Sequence, residues 1–564
     1  MRKKYILILA MCMFYAFTTI SCERTAPLNG NSNTEPTPVV FKRQCPDVTS
    51  PFPSYETKME PGGKNDFGPP DWWCEKYHEE KEKGGPIEHP IFQLSQDYPD
   101  AMPIAEDQPW AAYDPQNRSQ WKDYLRSVLK YSYGGNIEAN WVVQENTKRK
   151  WYHAPWMHTD FRGREFVHGM TSERCSCRDE LNGEPGSVRG CQTNTAVVRP
   201  AGLQCHPSTP IQNWAVSIYN DRGGYFLNQV WSEVRKPVPD PDRLAQLTEK
   251  GFPEGTVTIK LLFTTATDEE AGYLKSSPVW KADICRAKTN SAGNPDGTAT
   301  RDCRVPDNPN GISNNQPVDM RLLQIDVAVR DHRSPIGWVF GSFVYNDRAP
   351  VFIEELASTP GAADWLRVEP IGIMSGNDPR TSIGSELNQS YINTELGIAQ
   401  HLGCGGRLNG PVDNLASSCI SCHAFSETPQ DLAGNPSLPH ARMRCVSRQD
   451  VDYWMRNIDP RSSVQQERTF TDCAGSDPSV IPEDGKPCIA KPEGIRYSLD
   501  YSLQLREGIR RYCAAFPDQC KKWGDLTPVQ APTPKVGQVE PAISRDGVTL
   551  AIKTPTPTST PATQ

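Results

Sequence analysis

Between residues 210 and 375 the spacing of apolar and polar positions predicts strands. The runs NWAVSIYN, GGYFLNQVW, GTVTIKLLFTT, RLLQIDVAVRD, GWVFGSFVYND and WLRVEPIGIM are each rich in β-branched or aromatic residues and bounded by Gly, Pro, Asn or Asp. YNDRGG, between the first two, reads as a hairpin turn. No helix-length amphipathic segment separates these runs, so antiparallel pairing in a sandwich or curved sheet is expected, not βαβ units. Upstream, SQWKDYLRSVLKYS places Trp121, Tyr124, Leu125, Val128 and Leu129 at i, i+3, i+4, i+7 and i+8, which predicts a helix. Near 385 the pattern changes. SELNQSYINTELGIAQHLG is helix-compatible, with Leu387, Tyr391, Leu396, Ile398 and Leu402 as apolar points. SRQDVDYWMRNID carries a Ser or Asp cap, and LDYSLQLREGIRRYCAAF forms a further helical segment over 499–516. The expected class is α+β: a β-rich, antiparallel, sandwich-like domain over 51–384, then a small, mostly helical unit over 385–526.

The two ends of the chain read differently. MRKKYILILAMCMFYAFTTISC opens with three cations, continues with an apolar run from Tyr5 to Ile20 and ends at Cys22. The run is short for a membrane span, which needs about 20 residues, and fits the core of a secretory signal over 1–21. TISC resembles a bacterial lipobox, which implies that Cys22 is lipidated and holds the chain to a membrane, with the outer membrane slightly favoured because Glu23 follows. Residues 22–50 are polar and rich in Asn, Pro and Thr, as a flexible tether would be. Residues 527–564 form a Pro/Thr-rich tail of low complexity, expected to be disordered. The formal charge of −8 becomes −11 when Arg2, Lys3 and Lys4 leave with the signal. An acidic chain without basic clusters is a poor nucleic-acid binder, and that class is set aside.

Eighteen cysteines sharpen the picture. With Cys12, Cys22, Cys419 and Cys422 removed, 14 remain, an even number that suits structural disulfides in an oxidising compartment. Cys285 with Cys303, and Cys473 with Cys488, bracket Gly-containing loops and are candidate bridges. CSC at 175–177, with Cys191 and Cys205, reads as disulfide-forming and not as a metal cluster.

Cys419 and Cys422 stand apart because His423 follows them in SSCISCHAFSE. Two thiols at this spacing can add across the two vinyl groups of a porphyrin, and the next residue's imidazole can swing under the iron. Composition alone would place C-x-x-C-H in such a chain about 0.01 times. A zinc site would want a second ligand pair at finger spacing, and a thioredoxin-like dithiol would want a βαβ setting; neither is present in the sequence.

On this motif the segment from about 400 to 525 resembles the bacterial c-type cytochromes, with a single haem domain at the C-terminal end of an exported lipoprotein. The resemblance implies one covalent haem c, thioethers at Cys419 and Cys422, and His423 as proximal iron ligand. It also implies a distal ligand. Met443, in LPHARMRCVSRQDVDYWMRNID, stands before the capped helix in about the expected relation, while Met455, His440 or an open sixth position are alternatives. The function expected is a membrane-tethered, periplasm-facing cytochrome passing single electrons to a redox partner protein. The alternatives are a haem-dependent oxidoreductase whose β-rich domain binds a substrate, and a binding protein that senses redox state or a gas. The first 384 residues carry no nucleophile elbow, P-loop or dinucleotide fingerprint. Their densest chemistry is KWYHAPWMHTDFRGREFVHG, with His153, His158, Asp160 and His168, read first as a hydrogen-bonded aromatic patch and second as a metal or substrate site.

Overall fold

All eight residues of the run WVFGSFVY are buried. A strand covered at every position needs packing on both faces of its sheet, and the computed structural model shows what supplies it. The structure describes residues 71–84, 98–155, 159–173, 211–231, 251–282, 318–428 and 497–515, with short gaps inside these ranges, and positions 455, 457 and 520. Cys22, Met443, His440, His158, His168, both candidate disulfide pairs and the two chain ends lie outside the described residues.

In chain order the strands are β1 (Thr159–Asp160), β2 (Gly163–Arg164), β3 (Met170–Ser172), β4 (Asn213–Tyr219), β5 (Val257–Thr264) and β6 (Val279–Ala282). They continue with β7 (Val318–Arg330), β8 (Trp338–Tyr345), β9 (Val368–Met374), β10 (Ser390–Ile392), β11 (Glu427–Thr428) and β12 (Tyr497–Ser498). The α-helices are α1 (Asp71–Lys83), α2 (Trp121–Tyr133), α3 (Asp221–Val230), α4 (Cys419–His423) and α5 (Leu503–Ala515). Eight strands form one sheet in the order β10-β9-β8-β7-β5-β4-β3, with β6 also paired to the long strand β7. Every pairing is antiparallel. The α+β class and the antiparallel, β-rich character expected from the strand runs are therefore observed.

The second layer corrects the sandwich expectation. Among the described residues it is not a second large sheet. On one face α2 packs on β7 and β9, with Leu125 lying over Gly341 of β8. The predicted face of α2 is the one that is buried, with Trp121, Tyr124, Leu125, Val128 and Leu129 all in the core. On the other face Phe340, the neighbour of Gly341 and so pointing the opposite way, meets the ring of His423. A sheet covered on both sides has no face given over to solvent, so a central strand such as β8 loses the alternation of a half-exposed sheet.

Two segments differ from their expected elements. GGYFLNQVW, expected as a strand after a hairpin turn, lies in helix α3. Asn220 ends β4 as an N-cap whose side chain accepts from the Gly223 N–H, so the Asn-Asp pair starts a helix instead of a two-residue turn. Gly223 and Gly224 serve packing: a Cβ at either would lie within 3 Å of the Tyr219 or Tyr152 ring. The helix-compatible stretch around Tyr391 instead supplies β10, whose Ser390–Ile392 pairs with Met374–Gly372 at the sheet edge. There the open edge of β9 offers backbone hydrogen bonds that local helix propensity does not outweigh. In the C-terminal part, α5 occupies most of its predicted range, and Cys513 and Cys520 form a disulfide.

Candidate functional site

SSCISCH forms the short helix α4, started by a reciprocal cap. Ser418 accepts from the Ser421 backbone N–H while Ser421 Oγ accepts from the Ser418 N–H. At about 100° per residue, Cys419, Cys422 and His423 fall on one side of the helix, and Ile420, Ser421 and Ala424 on the other. The structure follows this division. Ile420, Ser421 and Ala424 are buried, and Cys419, Cys422 and His423 are only partly covered.

The cap is anchored by the loop that follows β9. Ser418 Oγ donates to Asn377 Oδ1 at 2.8 Å. Buried Arg407 in turn donates to the carbonyls of Asn377 and Asp378 at 2.8 and 2.9 Å. Cys419 N–H donates to the Leu408 carbonyl at 3.1 Å. Met455, one of the alternative distal ligands, is buried with its sulfur 3.8 Å from Ser418 Oγ, which gives it a packing role at the cap.

His423 is fixed from two sides. Its Nδ1–H donates to the Tyr501 carbonyl at 2.7 Å, and the Phe340 ring lies 4.9 Å from the imidazole, centroid to centroid. Desolvation pushes its pKa down to about 4, so the ring is neutral at pH 7 and Nε2 carries a lone pair. Cys419 and Cys422 are free thiols, not a disulfide. Desolvation pushes Cys419 well up and Cys422 up to about 12, opposite to the depression that activates a redox dithiol.

Nor do the three donor atoms converge. Among the described residues the one group of three or more His, Cys, Asp or Glu whose ligand atoms lie within 4.8 Å of one another is Glu254, Asp331 and His332. That group is already engaged. Asp331 is paired with Arg333 at 2.6 Å and accepts from Tyr124 Oη at 2.9 Å, while His332 bonds Glu254. Cys419, Cys422 and His423 are thus not gathered round one point as the ligands of a single chelated ion would be.

The sheet places a polar row on the face shared with Phe340. Ser217, Lys260, Asp326 and Ser342 are successive cross-strand partners on β4, β5, β7 and β8. Lys260 Nζ lies 3.2 Å from Glu173 and 3.7 Å from Asp326, and Ser342 Oγ and Gln324 Nε2 each donate to Asp326 Oδ1 at 2.6 Å. Burial works against the Lys260 charge, but Glu173, Asp326 and Asp413 more than offset it and hold the ammonium above its ordinary value. Desolvation and the nearby Asp413 raise Asp326 despite Lys260. The charges of Asp413, Asp326 and Lys260 act on Cys419, which couples the row electrostatically to the motif. Lys260 and Asp326 were visible in the sequence as single charges inside apolar strand runs, but their relation to α4 was not.

The histidine-rich stretch yields one described histidine. His153 is buried, its Nδ1 lies 3.4 Å from the Ser217 carbonyl, and its own carbonyl accepts from Tyr98 Oη. Trp151 is buried nearby, edge-on to Tyr131. These contacts describe His153 alone, since His158 and His168 lie outside the described residues.

No family model, curated protein or solved structure matches this chain.

Proposed function

We propose that this protein is a c-type cytochrome that passes single electrons through one haem bound covalently at Cys419 and Cys422, with His423 as proximal ligand. The observation that carries the reading is the state of the motif. Two unpaired thiols share one side of α4 with an imidazole whose Nδ1–H is given to a backbone carbonyl, leaving Nε2 as the donor. This is the second-shell bond that fixes the tautomer of a metal-ligating histidine. The haem supplies the one-electron redox change when bound. The chain orients the imidazole, keeps it neutral and encloses one flank of the site with Phe340. Met443 is the proposed distal ligand. Lipidation at Cys22, a position facing the periplasm and a protein redox partner belong to the same proposal.

A second reading, a haem-dependent oxidoreductase, is favoured by the row holding Lys260 and Asp326, whose charges act on Cys419. Such a row is a candidate for proton exchange with a substrate. One experiment separates the readings: reduced-minus-oxidised spectra with and without carbon monoxide, on protein made in a host competent for haem c attachment. A six-coordinate ferrous spectrum indifferent to carbon monoxide supports electron transfer, and rapid carbon monoxide binding supports catalysis. Covalent haem retained after Cys419→Ser and Cys422→Ser together would overturn both.

A further inference from the structure

We propose that Asp500 is the positioning residue through which the sheet orients the His423 imidazole and so sets the reduction potential of the haem. The proposal rests on the haem reading above.

The carbonyl that His423 uses belongs to a turn in an unfavourable conformation. Asp500 and Tyr501 both have positive φ, 47° and 66°. Two successive non-glycine residues in the left-handed region are rare and persist only where the surroundings hold them. The surroundings here are the sheet module, far away in sequence. Asp500 is 2% exposed. Its Oδ2 accepts from the Phe252 N–H at 2.6 Å, and its Oδ1 accepts from the Trp338 indole N–H at 2.9 Å. The Arg330 guanidinium lies 3.8 Å from Oδ2.

The loop before β5 is shaped for this carboxylate. Gly251 has a φ of +65°, and a Cβ there would lie 2.5 Å from Asp500 Oδ2. On the other side of the turn, Ser502 Oγ is 2.6 Å from Tyr219 Oη and accepts from the Leu505 N–H at the start of α5. Tyr501 is thus held between two points fixed to the sheet, and its carbonyl can take up little slack. The aromatic series Phe252, Trp338 and Phe340 runs from the clamp to the imidazole, with centroid separations of 5.5, 6.3 and 4.9 Å.

The consequence is electronic. A firm acceptor on Nδ1–H makes the imidazole a better donor at Nε2 and favours the ferric state. Loosening the acceptor favours the ferrous state. Asn at 500 suits the left-handed backbone at least as well as Asp. It nevertheless turns an NH2 group toward one of two N–H donors and removes the charge facing Arg330. Asp500→Asn therefore tests the clamp while sparing the backbone geometry.

The test compares the parent chain with Asp500→Asn, Trp338→Phe and Tyr124→Phe, all made with haem attachment machinery. It reads covalent haem per chain, midpoint potential and the urea midpoint. Tyr124 bonds Asp331 and none of the groups named above as holding Asp500, so its variant serves as the stability control. Asp500→Asn is expected to keep its covalent haem and shift the ferric–ferrous equilibrium about tenfold toward ferrous, or about 59 mV for one electron. Trp338→Phe shifts it the same way by less and serves as the reading where Asp500→Asn does not accumulate. Tyr124→Phe loses stability without a shift. Haem-loaded Asp500→Asn with the parent's potential would overturn the clamp alone. A parent chain that takes up no covalent haem would overturn the haem reading and the clamp with it.

Discussion

Replacing Ser418 with alanine removes one hydroxyl at which four groups meet: the Ser421 N–H, Ser421 Oγ, Asn377 Oδ1 and the Met455 sulfur. Loss of an N-cap costs about 1 kcal/mol. Asn377 Oδ1 is left inside the protein without that donor, which costs about 1–3 kcal/mol more. The two terms share one group and do not add fully, so the expected loss is about 2–3 kcal/mol. Urea unfolding followed by far-UV circular dichroism measures it, with a lower midpoint at an unchanged slope. Ser418→Thr keeps the hydroxyl and is expected to lose less than about 1 kcal/mol. Ser418→Asp keeps a cap acceptor but sets a carboxylate against Asn377 Oδ1, so it falls between threonine and alanine or below both. A loss under about 0.5 kcal/mol for Ser418→Ala would refute the reasoning, because the cap and the loop after β9 would then not be coupled through this oxygen. The same variant is expected to lower the yield of covalent haem, since an uncapped α4 presents its thiols in a less defined geometry.

Other consequences are equally open to measurement. Leu125→Ala, under β8, is expected to cost about 2–5 kcal/mol in the same unfolding assay. Burial would raise Asp331, but Arg333 and Tyr124 outweigh it and hold the carboxyl below its usual range. Its contribution to stability is therefore complete above about pH 4 and lost as pH falls through the lowered folded value. Arg333→Leu should destabilise by about 3 kcal/mol at pH 7 and recover part of the deficit, relative to the parent, toward pH 4 as Asp331 takes up a proton. Lys260→Met leaves Glu173 and Asp326 without their cation, so a pH titration of its stability should show a deficit at pH 7 that narrows toward pH 4. A constant deficit across that range would refute the charge argument.

Much of the sheet was legible from local pattern. Five of the six predicted strand runs are strands, because a run such as RLLQIDVAVRD is stable only with apolar cover on both sides. The face of α2 was legible for the same reason: Leu125, Val128 and Leu129 can be buried together only on a helix. The shared side of Cys419, Cys422 and His423 was legible, since they are neighbours in the chain and their spacing alone places them on one side of a helical turn. GGYFLNQVW was misread because Asn220-Asp221 starts a hairpin and a helix equally well. The choice fell to Tyr152 and Tyr219, whose rings need the bare backbone of Gly224 and Gly223.

What surrounds the motif was decided by tertiary structure. Phe340, Tyr501, Asp500 and Lys260 come from strands and turns separated by up to about 240 residues, and no local pattern carries a contact across such a distance. The sheet also contributes to the surroundings of the motif. Its Phe340 face supplies one wall of the His423 site, and Phe252, Trp338 and Arg330 hold the turn whose carbonyl meets the imidazole. Residue types and their spacing state which bonds a site can make. Only the antiparallel pairing of β4, β5, β7 and β8, by aligning residues from four strands on one face, determines which groups are close enough to make them.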